Sequence, residues 1–146
     1  MPPARKHGNM ERKEVYPVQL ILDKLFLNLS VEELQSSLYR TKRRKELVDI
    51  DGDMIHPYSL RYFTFLHKGI SCVECGIKGV FFAKERHRDV DERYHLNLYA
   101  INDNGEEVLM TKDHIYPKSL GGPNHLSNMQ PMCKCCNESK SNLKKR

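Results

Sequence analysis

The sequence predicts an α+β chain, with a helical N-terminal region over residues 1–70 and a strand-rich domain over residues 71–146 that cysteines tie together. Three observations carry this reading. Before residue 70 the apolar residues fall on helical faces, flanked by helix start and stop signals. From residue 71 come three short runs of strand character, with a hairpin turn between the last two. Two C-x-x-C pairs, Cys72/Cys75 and Cys133/Cys136, bracket those strands.

Residues 1–14 are polar and charged with two prolines, which predicts a disordered segment or an arm. VYPVQLILDKLFLNL (15–29) is apolar enough to be buried, and Leu20, Leu22, Leu25 and Phe26 fit one helix face loosely. SVEELQSSLYRTKRRKEL (30–47) is a clearer helix. Ser30 and Glu33 form a capping box, each side chain satisfying a backbone N–H at the helix start, and Val31, Leu34 and Leu38 line one face. VDIDGDMI (48–55) holds an Asp-Gly turn. It lacks the full ligand run and terminal Glu of a calcium loop, so it reads as a solvated turn. PYSLRYFTFLHKG (57–69) reads as a helix, with Pro57 at its first position and Gly69 past its end. Its aromatic residues Tyr58, Tyr62, Phe63 and Phe65 suit core packing better than base stacking.

GVFFAKER (79–86), YHLNLYAI (94–101) and EEVLMTKDHI (106–115) read as strands, and the Asn-Asp-Asn-Gly at 102–105 is a strong hairpin turn. HLSNMQPM (125–132) gives a short extended piece, and CKCCNESKSNLKK (133–145) a terminal helix.

The apolar fraction is 39% with no Trp, so a small core needs help from elsewhere. The net charge of +5 favours an anionic partner. RTKRRK (40–45) concentrates five basic residues in six positions. Arg43 and Arg44 could follow a phosphate backbone there; a solvated helix end that complements the helix dipole is the equal alternative. No apolar run approaches the ~20 residues of a bilayer span. MPPARKHGNMERKEV has no apolar core of a secretory signal. The expected location is the cytoplasm, with no membrane partner.

In a reducing compartment, five cysteines in two tight clusters read as metal ligands rather than disulfides. SCVECG and MCKCCN supply two knuckle-like pairs, and four thiolates make a closed, tetrahedral zinc site of structural type. Such zinc binding counts directly as folding energy. Buried free cysteines and a redox pair are the duller alternatives; neither pair sits in a βαβ unit. Cys135 is spare and could replace Cys133 or Cys136.

Several separated pieces then recur in order: Cys72 and Cys75, Asp113-His114-Ile115, Pro117, Gly121-Gly122, Asn128, and CKCCNESK with Asn137 and Lys140. Together they resemble an HNH endonuclease domain with four-cysteine zinc support, over residues 72–142. The resemblance implies a ββα-metal (His-Me finger) fold and an HNN variant, His114–Asn128–Asn137. Its spacing is similar to the HNH domain of RNA-guided CRISPR nucleases, and its CN-x-x-K ending to phage-borne members. Residues 1–70 resemble no family.

The resemblance implies Mg²⁺-dependent cleavage of DNA that leaves 5′-phosphate and 3′-hydroxyl ends. His114 is then the general base. Asp113 and Asn137 hold Mg²⁺ or another divalent cation through hard oxygens. Asn128 braces the loop and orients His114, and Lys140 contacts phosphate. His125 does not match the family position and reads as a surface residue; His87 and His95 read as non-ligands. The alternative reading is a catalytically inactive, zinc-stabilised nucleic-acid-binding module, with an RNA-directed nuclease a weaker third. A monomer would most simply nick, whereas a homodimer could cut both strands. Assembly into a larger phage or host complex is also compatible, in which case the compartment is the host cytoplasm.

Overall fold

The computed structural model describes residues 9–27, 29–30, 32–33 and 45–144, with side chains through 141. The chain gathers into two compact units, Met1–Pro57 with Val80–Leu98, and Tyr58–Gly79 with Tyr99–Arg146. The composition change at residue 71 falls inside the second.

The first unit holds β1 (Met10–Pro17), α1 (Val18–Leu25), the hairpin β2 (Val48–Ile50) and β3 (Asp53–Ile55), most of β4 (Gly79–His87) and the start of β5 (His95–Ile101). Its strands lie in the order β1-β4-β5. The N-terminal region is therefore not simply helical. Residues 10–14, expected in a disordered segment or an arm, belong to a strand antiparallel to β4. The reason is charge rather than apolar alternation. Glu11 stands opposite Arg86 and Arg12 opposite Glu85. Arg86 Nε donates to Glu11 Oε2 at 2.9 Å and Arg12 Nε to Glu85 Oε2 at 2.8 Å. Such cross-strand pairs stabilise a sheet without leaving a hydrophobic signature. Pro17 also delays the helix expected from residue 15: the residue before a proline is pushed out of helical geometry, so α1 begins at Val18.

The Asp51-Gly52 turn is solvated as expected, but it closes a true hairpin. Asp51 has φ +56°, and the Asp49 carboxylate accepts the Gly52 N–H at 2.7 Å. Ile21, Leu22, Leu25, Ile50, Ile55, Phe82 and Leu96 are buried. Lys84 is buried too, at 1% exposure. Its ammonium donates to the Ile50 carbonyl at 2.9 Å and meets Asp53 Oδ2 at 2.8 Å. Farther along the chain, Ser30 and Glu33 form the expected capping box, at 3.1 and 3.3 Å. Arg43 and Arg44 lie outside the described residues.

The second unit holds α2 (Leu60–Lys68), the end of β5, β6 (Glu107–His114), β7 (Met129–Cys133) and α3 (Lys134–Lys144). The order is β5-β6-β7, antiparallel throughout. The predicted strands and both helices fall where the sequence put them to within a few residues. Ser59, not Pro57, starts α2: its hydroxyl accepts the Tyr62 N–H at 3.2 Å. Tyr58, Tyr62, Phe63 and Phe65 are all buried. Both α2 and α3 pack against β6 and β7. The described residues thus form a mixed α/β protein with three α-helices and a mainly antiparallel sheet.

Candidate functional site

Two arrangements in the second unit bring the predicted residues together. The first is the cysteine cluster. Residues 71–78 fold back through a bridge between Ser71 and Lys78. Cys72 N–H donates to the Ile77 carbonyl at 2.8 Å and Gly76 N–H to the Cys72 carbonyl at 2.9 Å. Gly76 takes φ +79°, a value that side chains other than glycine adopt at a cost. Val73 N–H then donates to the Pro131 carbonyl at 3.0 Å, which joins this knuckle to β7. The Sγ atoms of Cys72, Cys75, Cys133 and Cys136 consequently all lie within 4.8 Å of one another. Cys75 and Cys133 are 3.9 Å apart. Four thiolates around a zinc at ~2.3 Å stand about 3.8 Å apart, so the donor set fits a metal such as zinc. Cys135 is exposed and lies outside the cluster.

Packing four thiols together changes how readily each one ionises. Burial pushes the Cys136 thiol well up, and the neighbouring sulfurs of Cys133, Cys75 and Cys72 add to it. Burial raises Cys133 as well. Burial also acts to raise Cys72, but the backbone N–H groups of Cys75, Cys133 and Glu74 outweigh it and hold that thiol at about 7. A bound cation would deprotonate these thiols and let the four sulfurs carry charge side by side.

The second arrangement is a cleft of about 400 Å³ lined by Asp113, His114 and Asn137, with Lys112, Lys118 and Ser119 among its other walls. Asp113 and His114 end β6, opposite Gln130 and Met129 of β7. Asp113 is buried. Gln130 Nε2 donates to its Oδ2 at 2.9 Å, and the Lys140 ammonium meets the same oxygen. Oδ1 is thereby left for another partner. Lys140, expected as a phosphate contact, also donates to the His114 carbonyl at 3.0 Å. On α3, the Asn137 amide nitrogen donates to Thr111 Oγ1 at 2.9 Å and to the Lys112 carbonyl at 3.5 Å. With its nitrogen committed, its carbonyl oxygen is the atom available to a cation. A carboxylate and an amide oxygen are the hard donors that Mg²⁺ accepts.

Asn128 is buried and serves the loop between β6 and β7. Its Oδ1 accepts the Tyr116 N–H at 2.8 Å, while its Nδ2 donates to the Tyr116 carbonyl at 3.1 Å and the Pro123 carbonyl at 3.0 Å. The loop is tight: a Cβ on Gly122 would stand 1.9 Å from the Tyr116 carbonyl oxygen, so only glycine fits. His114 Nε2 lies 2.7 Å from Asn124 Oδ1. His125 is exposed, and its Nδ1 is engaged with Ser127 Oγ at 2.8 Å.

Residues 102–145 match the HNH endonuclease family model. The match spans the β5–β6 turn, the cleft, the loop and α3, and it implies a nuclease acting on nucleic acid. No curated protein and no solved structure matches the chain. Within the HNH stretch, sequence reasoning missed Asn124, Gln130 and Thr111, which contact His114, Asp113 and Asn137. Gln130 follows from strand register, had the pairing of Asp113 across the hairpin been known. Asn124 follows from no local pattern, because its place depends on the path of the loop.

Proposed function

We propose that the chain is a divalent-cation-dependent endonuclease that hydrolyses phosphodiester bonds in DNA, with its chemistry carried within residues 71–146. The observation that supports this reading is the convergence of Asp113, His114 and Asn137 on one cleft inside the stretch that matches HNH endonucleases. His114 takes the proton from the attacking water, since a neutral imidazole is the ordinary general base near neutral pH. Asp113 Oδ1 and the Asn137 carbonyl would hold Mg²⁺ or a similar ion. When bound, the ion supplies charge neutralisation at the phosphate and the departing 3′ oxygen. Lys112 and Lys118 give the cleft positive charge for the backbone.

Lys140 and Gln130 hold the carboxylate from its other oxygen, and Asn128 keeps the loop in shape. The four cysteines would hold a structural zinc, closed to chemistry because all four ligands are protein thiolates. Arg43 and Arg44 contribute phosphate contacts. As a monomer the protein nicks; a homodimer would place two sites for two strands. The setting is the cytoplasm, that of a host cell for a phage-encoded chain.

A supercoiled-plasmid assay tests this. Wild type with Mg²⁺ relaxes or linearises the plasmid, and EDTA abolishes the reaction. His114→Ala slows it by about 10²–10⁴-fold, the usual contribution of a general base. Undiminished cleavage by His114→Ala would remove it from the role. A gel shift without any cleavage would favour the inactive binding module.

A further inference from the structure

We propose that Tyr116 and Leu120 form an apolar wedge that enters the base stack of DNA seated in the cleft, so that the nuclease works on a locally unstacked duplex. This deepens the nuclease reading and rests on the cleft as the place where DNA is cut.

Large apolar side chains scattered singly over a surface need no explanation. Here Tyr116 is 54% and Leu120 64% exposed, next to Ile115 at 49%. Tyr116 and Leu120 bracket Pro117, Lys118 and Ser119, all of which line the cleft. Nucleotides flanking a phosphate in the cleft therefore lie against this loop. The loop holds its shape without burying either side chain. Asn128 takes both backbone groups of Tyr116, at 2.8 and 3.1 Å. Leu120 N–H donates to the Pro117 carbonyl and Gly121 N–H to the Lys118 carbonyl, each at 3.0 Å. Gly121 closes the turn at φ +92°, where a side chain would be strained. Gly122 N–H returns to the Pro117 carbonyl at 2.9 Å. Little ordering of the loop is left to the binding step, which favours binding through the two side chains it presents. Lys118, between them, selects the partner. It is exposed, and with Lys112 it gives this wall positive charge. An apolar pair around a cation suits a polyanion whose bases offer flat apolar faces. An aromatic ring stacks on such a face, and a leucine parts neighbouring base steps. Specificity then follows how readily a step unstacks, with pyrimidine–purine steps favoured, rather than base-edge hydrogen bonds.

Insertion between bases unwinds the helix, and unwinding is read without knowing the target sequence. The full-length protein is bound to closed circular plasmid with no Mg²⁺ added, the plasmid is relaxed by a topoisomerase that needs no metal, and the topoisomers are resolved on a gel. Wild type lowers the linking number in proportion to bound protein. Tyr116→Ser/Leu120→Ser, which removes no side chain that holds the loop, loses that shift and binds DNA about 5–100-fold more weakly, the usual contribution of a stacked base. Tyr116→Phe/Leu120→Met keeps the apolar bulk and keeps the shift. Bound wild type that leaves the linking number unchanged would overturn the proposal, as would a serine variant that unwinds like wild type at equal occupancy. If that variant also loses a dimer that wild type forms in sedimentation, the pair belongs to an interface with a second copy of the chain. The plasmid assay with Mg²⁺ separates the two readings. Cleavage without unwinding removes the wedge alone, unwinding without cleavage removes the nuclease alone, and no binding to the plasmid removes both.

Discussion

The Asn128 amide uses both of its ends, accepting from the Tyr116 N–H and donating to the carbonyls of Tyr116 and Pro123. That makes two substitutions unequal. Asn128→Ala strands three backbone groups in a buried place, at a cost of about 1–3 kcal/mol. Asn128→Asp keeps the acceptor but turns the donor into a second oxygen facing two carbonyls. We expect the thermal midpoint at neutral pH to fall in the order wild type, Ala, Asp; an Asp variant lying above Ala would mean that the two donor bonds contribute little. From the sequence, the paired cysteines were legible by type and spacing alone, whereas Asp113, His114, Asn128 and Asn137 were named through the resemblance to HNH endonucleases. Their partners were not legible. Asn124 and Gln130 are ordinary amides until the loop and the strand register set them against His114 and Asp113, and Lys140, read as a phosphate contact, bonds the Asp113 carboxylate and the His114 carbonyl.

The elements divide along the same line. Where hydrophobic pattern and turn chemistry agree, as in α2, β5, β6 and α3, the sequence located them. β1 escaped because charge pairs with β4 replace the apolar alternation that marks a strand. β4 itself buries Lys84 and Glu85, with Glu85 bonded to Arg12 at 2.8 Å and to Asn97 at 2.9 Å. The tie from β4 to the β2–β3 hairpin is the Lys84–Asp53 pair, reinforced by Lys13 at 2.8 Å from Asp53. Lys13 and then Lys84 hold the Asp53 carboxyl below its ordinary value of 3.8. The stability it contributes is therefore complete above that value and is lost as pH falls through the lower folded value. Burial lowers Lys84, but Asp53 and Tyr16 more than compensate and hold it above its ordinary 10.5. Its share is complete below 10.5 and is lost as pH rises through the folded value. Asp53→Asn should cost about 3 kcal/mol, because it leaves a buried ammonium without its carboxylate. Urea unfolding across pH checks this: the gap between wild type and variant should be flat through the neutral range and should close in acid below about pH 4.

At the scale of the whole molecule, two kinds of support hold the chain, and they respond to different treatments. The first unit rests on an apolar core and buried charge pairs, with no cysteine in it. The second has its own aromatic core, but its knuckle and the start of α3 meet at four thiols that repel one another once ionised. Burial and neighbouring sulfurs push Cys136 and Cys133 up, so without a cation those thiols stay protonated and neutral and nothing draws the sulfurs together. Bound zinc would supply that attraction, and its binding would count as folding free energy, as in structural zinc sites. With a metal bound the cluster would anchor α3, which carries Asn137 to the cleft and Lys140 to Asp113, so metal loss should reach the chemistry without touching a cleft residue. Stripping the metal with a strong chelator, followed by hydrogen exchange on the full chain, should abolish amide protection in residues 71–78 and 134–144 first. Protection in β1 and β4 of the first unit should fall less, since no ligand lies there. Cleavage should be lost even when Mg²⁺ is restored in excess, and should return when zinc is added back. Full protection of α3 in protein verified free of metal would show that packing on β6 and β7 alone holds the helix, and that the four cysteines are not its anchor.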